Sequence, residues 1–198
     1  MSRDRLRLAA AVGLQLLILA LVPARQVLAS WRGQEVTLAT APVDPYDPFS
    51  GAYVRLAYEV ERPDAGLVPA ELEDGQTIYL VVERAEPAWR LVAIAVDPPP
   101  AAPDRAALRA SWRHGFPRLE SASRLYLPAE RARAAQAALS QQRQRWWDEQ
   151  EEARRALPKG APEPSPPPAP RALVDLRVDG AGNVRVLRLQ VDGQVFGD

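Results

Sequence analysis

Residues 172–193 read ALVDLRVDGAGNVRVLRLQVDG, two alternating runs divided by Gly180-Ala181-Gly182-Asn183. Successive strand side chains point to opposite faces, so Val174, Leu176 and Val178 share one face of the first run. A Gly-rich connection between two such runs is the strongest hairpin pattern in the chain. Antiparallel sheet is therefore the expected framework.

Similar runs lie upstream. GQEVTLAT at 33–40 puts Val36 and Leu38 on one face. In residues 52–60, Val54, Leu56, Tyr58 and Val60 face one way, and Tyr53, Arg55, Ala57 and Glu59 the other. TIYLVVE (77–83) and AWRLVAIAV (88–96) flank Ala85-Glu86-Pro87 as a second hairpin, and RPDAG (62–66) is a turn by composition. AALRASW (106–112) and SRLYLP (123–128) read as further strands, the first following the stiff PPPAAP at 98–103.

One segment has a different rhythm. Residues 128–157 begin with Pro128, are rich in Ala, Gln, Arg and Glu, and meet no breaker before Pro158. This predicts a long helix with a thin apolar stripe of Leu139, Trp146, Ala153 and Leu157. Trp146 and Trp147 are adjacent and cannot both be fully buried against one surface. PKGAPEPSPPPAP, 158–170, is an extended proline spacer.

The N-terminus is of another kind. Arg3, Arg5 and Arg7 precede an apolar run at 8–22. Residues 6–24 would rise about 28 Å as a helix, close to a ~30 Å hydrocarbon core. The positive-inside rule then keeps the start cytoplasmic and exports the rest. A cleaved signal ending at Ala29 is the alternative, with the same exported product.

The expected fold class is mainly β (α+β), a small antiparallel domain with one long helical insertion behind an N-terminal transmembrane or signal helix. Its parts are 1–29 (signal-anchor), 30–127 (first part of the β domain), 128–157 (helix), 158–170 (linker) and 171–198 (a C-terminal hairpin completing the domain).

Composition narrows function. The chain carries 25 basic and 25 acidic residues. Removing the four Arg and one Asp of residues 1–29 leaves 21 against 24, a net charge of −3. A slightly acidic body is a poor match for nucleic acid, whose binding rests on neutralising phosphates. There is no cysteine, and His114 and Lys159 are the lone residues of their types. Thiolate chemistry is thus closed. His114 lies in a Gly-flanked turn, and Lys159 lies in the proline spacer, where nothing would lower its pKa. No G-x-S-x-G, H-E-x-x-H, phosphate loop or dinucleotide fingerprint is present.

The remaining candidates lie in PVDPYDPFSGAYVRLAYEV, residues 42–60. Asp44 and Asp47 fit a stiff turn, each with its proline, ahead of Gly51. They also fit a partial Ca²⁺ or small-ligand site, since Ca²⁺ takes six or more oxygens. Tyr53 and Tyr58, on opposite strand faces, fit one core and one surface position.

The stretch Gly51-Ala52-Tyr53-Val54-Arg55-Leu56-Ala57-Tyr58 resembles the signature of the bacterial GDYXXLXY family. Its lead-in P-V-D-P-x-D is similar to Pro42-Val43-Asp44-Pro45 with Asp47. Leu127-Pro128-Ala129-Glu130 and the D-G-x-G-x-x-R at 179–185 match more loosely. The motif's Asp is Ala52 here, so any task of that carboxylate is missing from this chain. The resemblance implies a membrane-anchored protein, often encoded beside multi-spanning membrane proteins, and brings no reaction with it. The expectation is a non-enzymatic, single-pass protein of the bacterial inner membrane. It has no cofactor and no nucleic-acid partner, and its exported domain serves an integral membrane partner. Asp44, Asp47, Gly51, Tyr53, Leu56 and Tyr58 are its structural or contact residues.

Overall fold

A computed structural model describes residues 12, 15, 33–41, 53–100, 102–155 and 171–197. In chain order its elements are β1 (Gln34–Ala39), β2 (Tyr53–Arg55), β3 (Thr77–Glu83), β4 (Arg90–Ala95), β5 (Arg105–Arg113), β6 (Phe116–Arg118) and β7 (Arg124–Tyr126). Helix α1 (Ala129–Arg155) follows, then β8 (Leu173–Val178), β9 (Val184–Val191) and β10 (Gln194–Gly197). The protein is thus mainly antiparallel β with one long helix, as the alternating runs predict.

The strands form two four-stranded sheets, β1-β8-β9-β10 and β4-β3-β5-β6, and a two-stranded ribbon, β2-β7. Every pairing is antiparallel. One core draws on all three. Leu38, Val174, Leu176 and Leu189 come from the first sheet, Ile78, Leu80, Leu108 and Trp112 from the second, and Val54, Leu56, Tyr58 and Leu125 from the signature segment and β7.

Backbone hydrogen bonds seam the two sheets. Trp89 N–H donates to Thr37 O at 2.8 Å, and Arg109 N–H donates to Gly182 O at 2.8 Å. The second bond docks the β8–β9 hairpin tip on the edge of β5 beyond the short β6. Gly182 has φ +82°, and an added Cβ would lie 2.9 Å from Ala107 O. Only glycine fits that contact without strain.

Apart from the 52–60 run, which is a strand only over Tyr53–Arg55, the structure departs from sequence expectation in three places. The C-terminal part is a three-stranded meander, because Asp192-Gly193 (φ 47° and 81°) turns the chain once more into β10. His114-Gly115 (φ 52° and 84°) makes a similar two-residue turn into β6. The helix buries Ala132, Ala135, Ala138 and Gln142, whereas Trp146 is half-buried and Ala153 exposed. Small alanines let α1 lie close to β2 and β9.

Candidate functional site

Geometry around the signature begins with its alternation. Val54, Leu56, Tyr58 and Val60 are all buried, while Tyr53, Arg55, Ala57 and Glu59 are half-buried or exposed. Strand pairing stops early, and the cause is Glu61. Its buried carboxylate accepts from Tyr58 N–H at 3.1 Å and from Leu119 N–H at 2.8 Å. Drawing the chain back in this way converts residues Glu59–Glu61 into a 3-10 turn.

Tyr58 is fully buried, and its hydroxyl donates to Ala122 O at 2.8 Å. Burial, reinforced by the Glu61 charge, pushes this phenol far above its ordinary range. It is a neutral structural hydroxyl. Leu56 N–H donates to Ser123 O, Ala41 N–H to Ala57 O, and Tyr58 bridges Thr40. The segment thereby ties β1 to the chain around β7.

Tyr53 faces the other way. Its ring lies 5.8 Å from that of Tyr126, and the Arg124 guanidinium stands 5.3 Å above it. Gln136 of α1 donates to Tyr53 O at 3.5 Å. Of the sequence candidates, the structure thus brings Tyr53, Leu56 and Tyr58 together on one short segment, two inside and one at the surface. Asp44, Asp47 and Gly51 lie outside the described residues, as do almost all of residues 1–29 and the linker 158–170.

Sequence reasoning missed a second polar centre. Asp175, only 2% exposed, accepts from Thr37 Oγ1 at 2.6 Å, from Gln190 Nε2 at 2.7 Å and from Arg188 Nε. Arg188 also reaches Glu35 at 2.8 Å. Burial alone would raise the Asp175 carboxyl. The Thr37, Arg188 and Gln190 hydrogen bonds, with the Arg188 charge, outweigh it and hold the group below the ordinary aspartate value. All its partners are satisfied, so the cluster braces the first sheet. Its sequence signal was an Asp within the apolar run LVDLRV.

His114 is an exposed turn residue whose backbone N–H donates to Asp74 at 2.7 Å. Among the described residues no group of three His, Asp or Glu side chains converges as a metal cluster. Nor is any described helix long and apolar enough to cross a membrane.

A match to the GDYXXLXY protein family spans residues 15–189, nearly the whole chain. The chain belongs to the GDYXXLXY family. No curated protein and no solved structure matches it. The family's eponymous segment is, in this member, a strand-and-turn with Leu56 and Tyr58 in the core and Tyr53 outward. Ala52 in place of the motif's Asp lies outside the described residues.

Gln142 and Arg145 both reach the carboxylate of Asp192, in the β9–β10 turn. Beyond that tie the helix continues to Arg155 with nearly every residue exposed. Trp147 is 57% exposed and meets Trp146 edge-on at 4.7 Å. The Trp146 indole Nε1 is shielded from solvent and, among the described residues, has no hydrogen-bond acceptor.

Proposed function

We propose that this protein is a membrane-anchored, extracytoplasmic accessory domain that acts without catalysis beside an integral membrane partner. The carrying observation is the C-terminal part of α1 beyond the Asp192 contacts, which carries an exposed Trp147 and, among the described residues, a Trp146 indole without an acceptor. A buried donor without an acceptor costs free energy, and tryptophan is a favoured anchor in protein contacts. The apolar run at 8–22, with Arg3, Arg5 and Arg7 before it, supports a single-pass anchor in the bacterial inner membrane and an exported domain. Cleavage after Ala29 would release that domain on the same side.

Purification of the full chain in a mild detergent tests this reading. The expected result is a stoichiometric integral membrane protein that is lost from the Trp146→Ala/Trp147→Ala variant. A monomer with no enriched membrane partner overturns it. So does a rise in Tm with Ca²⁺ that EDTA reverses, since that would assign the Asp44/Asp47 segment to a ligand.

A further inference from the structure

The β2–β7 ribbon sets Tyr53 opposite Tyr126 and Arg55 opposite Arg124. All four lie on its outer face, with Tyr126 69% exposed. Like charges directly opposite on paired strands are destabilising, and their Cβ atoms are only about 5 Å apart. Some exposed arginines have carboxylates (Arg90 and Arg105 meet Glu83, Arg113 meets Glu120, and Arg171 meets Glu59), and what sets Arg55 and Arg124 apart is that they stand directly opposite each other on paired strands. Among the described residues neither Arg55 nor Arg124 is paired with a carboxylate. Glu59, close to Arg55 in sequence, is committed to Arg171 at 2.6 Å. Arg124 is stacked on Tyr53, which orders its guanidinium and leaves the hydrogen-bonding fork open.

The geometry points to this face as a recognition surface for an acidic segment of a partner protein, one bearing Asp or Glu side chains. Two adjacent guanidinium forks match carboxylates in bidentate fashion. Arg and Tyr are also the residue types that dominate protein–protein hot spots. A lipid surface is a weaker match. Polybasic lipid sites gather roughly four to eight Lys or Arg, against two here, and the exported body has a net charge of −3 that an anionic membrane repels. A bound carboxylate would relieve the Arg55–Arg124 repulsion, which makes the pair fit for binding and unfavourable for the fold alone.

The inference rests on the domain being an interaction module, and the experiment separates the two. The full chain in neutral detergent is titrated against a fluorescent oligoglutamate peptide, and in parallel against phosphatidylglycerol vesicles. Arg55→Gln/Arg124→Gln and Tyr126→Ser are expected to weaken peptide binding by about tenfold or more. Arg113→Gln, an exposed arginine elsewhere, leaves it unchanged. Arg55→Gln alone keeps or raises Tm, as removal of one of two like charges requires. Equal peptide affinity in the double variant, binding to vesicles but not to peptide, or a lowered Tm in Arg55→Gln overturns the assignment. If the double variant loses the peptide yet retains the membrane partner through α1, this surface and the accessory role stand separately. If the peptide binds as expected and no membrane partner co-purifies, only the accessory reading falls.

Discussion

Glu61 is a buried carboxylate with two backbone donors and no compensating cation among the described residues. Its partners, Tyr58 and Leu119, sit 3 and 58 residues away. Glu61→Ala leaves both N–H groups unsatisfied in the core and is expected to destabilise by at least about 2 kcal/mol, read from urea unfolding. Asp175 gives a pH prediction. Its carboxyl is held below the ordinary value when folded, so the stabilisation is complete above the unfolded pKa and is lost as pH falls through the folded one. Acid unfolding scans below about pH 4 should therefore show a steeper loss in the parent than in Asp175→Asn. Neither residue was legible beforehand, because what defines each is a partner far along the chain. Thr37 reaches Asp175 across 138 positions. Tyr58 was legible as a face, since alternation needs only its neighbours; its bond to Ala122 was not.

At the scale of elements, strands β1, β3, β4 and β5 follow from local alternation, and α1 from composition and the absence of breakers. The face that α1 buries did not. Apolarity favours Leu139, Trp146 and Ala153, and of these Leu139 does pack on the core, but the buried face is made by Ala132, Ala135 and Ala138, because a close approach to β2 and β9 selects small side chains. What holds the middle of the helix is the Asp192 turn. Asp192→Asn keeps a side chain tolerant of positive φ while removing the charge. Amide exchange from residue 139 to 155 is then expected to quicken about three- to tenfold, with the strands unaffected. Uniform exchange across parent and variant would show that the tie does not order the helix.

At the scale of the molecule, two sheets and a ribbon become one core through a few seams, of which the hairpin tip on β5 is the tightest. Gly182→Ala combines a positive φ with a contact to Ala107 O and is expected to cost about 1–3 kcal/mol, measured by thermal or urea unfolding. Gly180→Ala, where a Cβ meets open space, is the matched control. The GAGN connection was legible as a turn, but its docking depends on how the second sheet presents the edge of β5. By itself the sequence determined the β-rich class, the long helix, the family and the two faces of the signature strand. Those properties depend on period, composition and local order. Only tertiary structure decided that Glu61 ends the signature strand, that Asp175 is buried among Thr37, Arg188 and Gln190, and that Arg55 stands opposite Arg124. Each depends on which distant strands become neighbours, and that is settled by packing one core from segments no local pattern relates.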